Sequence, residues 1–141
     1  MTKEDKQLLL VDLCARLPYN CKVTIAEGGI DGLQWNNVPL NSYLLYQIEE
    51  EDGWEYIKPY LRPMSSMTEV EKKEYHNLCY EEERECYEFG EWVTRVYYHD
   101  TIESIDWLNA HHFDYRGLIE KGLAIEVTEE NNVYKEELDN G

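Results

Sequence analysis

The chain has 141 residues, enough for one ordinary domain with a sizeable core, and 43% of them are hydrophobic and 13% aromatic. That supply of aromatics excludes a disordered acidic chain even at a formal net charge of −17. The charge disfavours direct nucleic-acid binding, which needs clustered Lys and Arg, and no apolar run approaches the ~20 residues that cross a bilayer.

In chain order, Thr2 with Asp5 forms a capping pattern for a first helix, along which Leu9, Leu10, Leu13, Cys14 and Leu17 recur at helical spacing until Pro18. The opening lacks the features of a signal peptide, so a cytoplasmic location is expected. CKVTIA then reads as a strand with Val23 and Ile25 on one face, EGGIDG as a turn, LQWNN as a strand joining Leu33 and Trp35, and YLLYQI as a strand joining Leu44, Tyr46 and Ile48. Pro59 and Pro63 mark an irregular connector. Ser66 and Thr68, each three residues before a glutamate, open a helix expected to run to at least residue 86, with Tyr75, Leu78, Cys79 and Cys86 inward. EWVTRVYYH, rich in β-branched and aromatic residues, reads as a strand.

The stretch IDWLNAHHFDYRGLI contains the most suggestive cluster. On a helix from about 102 to 112, at about 100° per residue, Ile105, Leu108 and His112 share a stripe, Trp107 and His111 share another, and Asp106 joins neither. That helix alone assembles neither a ligand pair nor a His-Asp dyad. His112 is expected in the core, and Asp114 as the cap of a short helix, YRGLIEKG, stopped at Gly122 and followed by a strand, LAIEV. Helix, turn, helix and strand in that order are compatible with a winged-helix-like unit. Its second helix, however, offers only Arg116 and Lys121 to a nucleic acid.

The expected architecture is therefore α+β: an N-terminal helix with a small antiparallel sheet, then a helical C-terminal half. One domain is expected over 1–141, divided into 1–58 (helix plus strands), 59–67 (proline-marked connector), 68–127 (mainly helical) and 128–141 (acidic tail). Cys14/Cys21 and Cys79/Cys86 match neither zinc-knuckle nor redox spacing, so free thiols are expected. His76 and Cys79 would give a metal only two ligands.

Charge is uneven. Residues 1–63 carry 10 acids and 6 bases, and 64–141 carry 20 and 7, so the halves net −4 and −13. The acids concentrate at 49–52, at Glu81, Glu82, Glu83, Glu85 and Glu88, and in the tail from Glu126. Such runs read first as solvated surface. Phosphate-cradling, GxSxG and HExxH motifs are missing, and no residue stands out as catalytic, cofactor-binding or metal-binding, nor is any cofactor expected. The reading that follows is a non-enzymatic interaction or regulatory protein contacting another protein, one with a basic surface, through Trp107, His111, Tyr115 and Arg116. A DNA-mimicking inhibitor and a hydrolase or metal enzyme built on His76, His99, His111 or His112 are the alternatives.

Three blocks, DLCARLPY (12–19), IKPYLRPMSSMT (57–68) and DWLNAHHFDYRGLIEKGLAIE (106–126), resemble a family of uncharacterised small proteins encoded in gut Bacteroidales genomes and their phages or mobile elements. The resemblance covers about half of the chain. It implies an intracellular bacterial or phage protein and carries no activity, cofactor or site residue with it.

Overall fold

The structure is a computed structural model that describes residues 2–26, 34–50 and 57–135. The described residues form two compact regions, one made of those up to 66 together with those from 109 onward and the other of 67–108.

In the first region, α1 (Lys3–Arg16) starts at the expected capping box, with Thr2 and Asp5 exchanging side-chain and backbone hydrogen bonds. Its buried face is turned from the expected stripe. Leu9 and Leu13 are buried, but so are Asp12 and Arg16, whereas Cys14 and Leu17 are exposed. The i, i+4 spacing of Asp12 and Arg16 puts an ion pair on the inward side, and apolar periodicity alone does not register it. Burying Leu9 and Leu13 contributes about 1.5–3 kcal/mol each.

β1 (Lys22–Ala26) and β2 (Gln34–Pro39) pair antiparallel as expected, with a register shift between Val23 and Ile25. Leu33 and the EGGIDG turn lie outside the described residues. YLLYQI is not a strand. Residues Ser42–Glu50 form α2, on which Leu44 and Ile48, four apart, are buried while Tyr46 is exposed. Asn41 accepts a hydrogen bond from the Leu44 N–H at 3.0 Å and caps the helix, a signal the alternating reading of YLLYQI overlooks.

The expected connector is the central strand of the sheet, β3 (Ile57–Pro63). It pairs antiparallel with β1 through Ile57–Pro59, then parallel with β7 (Ile125–Glu126) at Tyr60–Leu61 and with β6 (Phe113–Asp114) at Arg62–Pro63. The bonds to the returning chain use the Leu61 carbonyl, which accepts from the Val127 N–H at 2.8 Å, and the Arg62 N–H, which donates to the His112 carbonyl at 2.7 Å. Neither calls on the N–H that each proline lacks, and the proline φ suits an extended chain. The sheet order is β2-β1-β3-β6, with β7 also on β3. Leu9, Leu13, Cys21, Val23, Leu40, Leu44, Ile48, Ile57, Leu61, Leu118 and Leu123 make its core.

In the second region, α3 (Glu69–Leu78) has the expected Thr68/Glu71 capping box but ends at Cys79, whose backbone is extended. Residues up to 86 do not continue the helix. They form β4 (Tyr80–Glu88), which pairs residue by residue with β5 (Glu91–His99). Glutamate-rich β4 has little strand propensity of its own, and its β-branched and aromatic partner supplies it. The start of α3 and the strand β5 match the sequence reading here, and the continuation of the helix through residue 86 does not.

α4 (Ile102–Ala110), whose last residues group with the first region, stops before both histidines. His112 has a left-handed φ of 65°, which no continuing helix allows. YRGLIEKG is a series of turns, not a helix. Both oxygens of Asp114 accept backbone N–H groups, from Leu118 and Ile119 at 2.9 Å each, and Gly117 and Gly122 adopt φ of 76° and 74°. Of LAIEV only Ile125–Glu126 pairs. The C-terminal half is thus not mainly helical, and no second helix lies between α4 and β7 to complete a winged-helix unit. No described helix is long and apolar enough to cross a membrane.

Candidate interaction surface

The β4-β5 hairpin turns on Phe89 and Gly90, whose φ values of 51° and 83° are both positive, as a two-residue turn of the twist-matching kind requires. Side chains alternate along each strand. The register therefore sorts them into two faces with different chemistry.

One face carries Glu82, Arg84, Cys86 and Glu88 opposite Tyr97, Arg95, Val93 and Glu91. Two of its acids, Glu82 and Glu88, are paired. Arg84 Nη2 donates to Glu82 Oε2 at 3.2 Å, His99 Nε2 lies 2.8 Å from the same oxygen, and Arg95 Nε donates to Glu88 Oε1 at 2.7 Å. The bonds from Arg84, then from His99, hold the Glu82 carboxyl below its ordinary pKa, and Arg95 does the same for Glu88. Arg84 also lies over the Tyr97 ring at 4.7 Å.

The other face carries Glu81, Glu83, Glu85 and Tyr87 opposite Tyr98, Val96, Thr94 and Trp92. All eight residues are exposed. The glutamates make no ion pair among the described residues, and the row opposite them is largely apolar. At the turn end, Tyr87 and Trp92 meet edge to face with centroids 5.3 Å apart, 63% and 70% exposed, beside a fully exposed Phe89. At the other end His76 of α3 stacks on Tyr98 at 3.9 Å. A run of exposed aromatics of this kind marks a contact surface far better than scattered apolar residues do.

The residues singled out from the sequence are placed differently. Trp107 is half-buried in the 67–108 region, its ring 5.8 Å from that of Tyr75. The Tyr75 hydroxyl donates to Asp100 at 2.5 Å, and burial, then this bond, pushes its pKa up. Thr101 caps α4 by accepting from the Ser104 N–H at 3.0 Å and donates to the Leu78 carbonyl at the end of α3 at 2.6 Å.

In the other region Tyr115 and Arg116 are brought together, the guanidinium 4.7 Å from the ring centroid. Both belong to a largely buried polar network. Asp12 accepts from Arg16 Nε at 2.7 Å, from Arg16 Nη2 at 3.1 Å and from Arg116 Nη1 at 3.1 Å, while Arg16 Nη2 also donates to the Phe113 carbonyl at 2.6 Å. Burial disfavours the charge on Arg16, yet Asp12 outweighs it and leaves the guanidinium pKa raised. The Tyr115 hydroxyl donates to Asn109 at 2.9 Å. The His111 carbonyl accepts from Arg62 at 3.3 Å, so its main chain serves the fold.

His112 is 2% exposed, as expected, but a left-handed turn buries it and not a helical stripe. Its ring stacks on Tyr134 at 3.6 Å. The Tyr134 hydroxyl accepts from the Lys22 N–H and donates to the Tyr60 carbonyl, both at 2.8 Å, and burial pushes its pKa up. Cys14 is exposed, Cys21 buried, and Cys79 and Cys86 half-buried and free. Burial raises the Cys21 pKa to about 11, so it is a thiol at neutral pH. Among the described residues no three His, Cys, Asp or Glu side chains gather as a metal shell requires.

No protein family, curated protein or solved structure matches the chain.

Proposed function

We propose that the protein is a non-enzymatic interaction or regulatory protein that contacts another protein through its acidic surface, and that the hairpin is the contact. The observation that carries this reading is the face bearing Tyr87, Trp92, Val96 and Tyr98, exposed beside three glutamates that make no ion pair among the described residues. This reading puts the contact on the hairpin and not on Trp107, His111, Tyr115 and Arg116. Tyr115 and Arg116 hold the Asp12 network together, and Trp107 packs on Tyr75.

A DNA mimic is the second reading, supported by the same row of Glu81, Glu83 and Glu85. It calls for a second row of carboxylates, and the strand opposite carries Tyr98, Val96, Thr94 and Trp92 instead.

The test is cross-linking followed by affinity capture from a Bacteroidales host, the setting the sequence resemblance points to, with the intact protein and with a Phe89→Ser/Trp92→Ser variant. The expected result is a partner cross-linked to the hairpin at low salt and lost with the variant. The same proteins recovered with both forms, or none at any salt, would overturn the proposal.

A further inference from the structure

The two-residue turn fixes which backbone groups of β4 the hairpin uses. Residues flanking such a turn form a hydrogen-bonded pair, and hydrogen-bonded and non-bonded pairs then alternate down the ladder. Glu88 with Glu91 is the first bonded pair, so Cys86, Arg84 and Glu82 also direct their N–H and C=O groups toward β5. Tyr87, Glu85, Glu83 and Glu81 direct theirs the other way. Among the described residues β5 is the only strand beside β4, which leaves that edge open.

The residues with outward backbone groups are thus the same ones whose side chains form the acidic row. An extended chain added to that edge would form backbone hydrogen bonds there and place every second side chain beside Glu81, Glu83 and Glu85, which repeat at about 7 Å. A second copy of this chain would bring its own glutamates to the same edge, at a net charge of −17 per copy. Charge complementarity selects a basic segment instead.

We propose that the open edge of β4 takes up, as a third strand, an extended segment of a partner protein with Lys or Arg at every second position. The basic side chains lie along the glutamate row, and the segment's backbone completes the edge. This rests on the reading of the hairpin as the contact surface and adds the geometry and chemistry of what it holds.

Two synthetic decapeptides of equal composition test it, one alternating Lys and Thr and the other with five Lys followed by five Thr. They are titrated into the isotope-labelled full chain. The alternating peptide should bind more tightly and slow amide exchange at Glu83, Glu85 and Tyr87, while Glu82, Arg84 and Cys86, already bonded to β5, change little. A Glu81→Gln/Glu83→Gln/Glu85→Gln variant, altering side chains that make no ion pair among the described residues, should keep the spectrum of the folded chain. It should weaken binding about tenfold and flatten its dependence on salt.

Equal binding of the two peptides, protection without the alternation, or no binding at millimolar peptide would overturn the proposal. If a partner captured through Phe89 and Trp92 persists while the alternating peptide fails, strand addition falls and the wider reading stands. If no partner is captured either, both fall.

Discussion

Ion pairs in the two regions have similar chemistry and opposite settings. Asp12 and Arg16 are fully buried, and Arg116 shares the Asp12 carboxylate, whereas Glu82 with Arg84 and Glu88 with Arg95 lie on an open hairpin. Removing one partner of a buried pair strands a charge away from water; on the hairpin, water and salt take over the lost interaction. A buried carboxylate thus gathers two arginines in the first region, while the glutamate row on β4 stays exposed to solvent.

The largest effect expected from this contrast is that of Asp12→Ala, which leaves Arg16 buried without its counter-charge and should cost about 3–5 kcal/mol in urea unfolding. A loss no greater than that from Glu88→Ala would remove the distinction between the regions. Tyr134→Phe keeps the stack on His112 but takes the hydroxyl from the Lys22 N–H and the Tyr60 carbonyl. A cost of about 1–3 kcal/mol and faster exchange of the Lys22 amide should result. Gly117→Ala meets no atom within 4 Å, so conformation alone is at stake, at about 1–2 kcal/mol for its φ of 76°.

A smaller change of opposite sign should come from Phe89→Asn. Asparagine suits a positive φ better than phenylalanine, so the hairpin should gain up to about 1 kcal/mol while partner capture weakens. Unchanged capture would separate Phe89 from the contact. The smallest effect concerns pH. The carboxyls of Glu82 and Glu88 have depressed folded pKa values, so their contribution is present above the ordinary carboxylate range and is lost as pH falls through the folded values. Hairpin amide shifts followed from pH 7 downward at low and high salt should show this loss, muted by salt. An equal response at both salt levels would contradict the exposed setting.

Local signals were legible where they act alone. Thr2/Asp5 and Thr68/Glu71 mark the starts of α1 and α3, and the β-branched and aromatic run of β5 marks a strand. Signals requiring a distant partner were not. Nothing within YEEERECYE separates strand from helix until Glu88 meets Glu91 across the Phe89-Gly90 turn, and Pro59 and Pro63 argue against a strand that the rest of the sheet nonetheless supports. The candidate surface was missed for the same reason. Its two rows exist only once β4 and β5 pair, although a glycine-bearing turn between runs of equal length was a cue. The Asp12/Arg16 spacing was visible, and only burial shows that it faces inward.

The pairing of β3 also bears on how the molecule is made. A ribosome delivers β3 long before Phe113 and Ile125, so the central strand emerges with its second half uncovered and must stay so while the hairpin and α4 are synthesised. The hairpin, whose contacts are local, can close early; the sheet waits for the returning chain. Until then Pro63, which donates no N–H, blunts the end of the waiting half against stray pairing with other nascent chains.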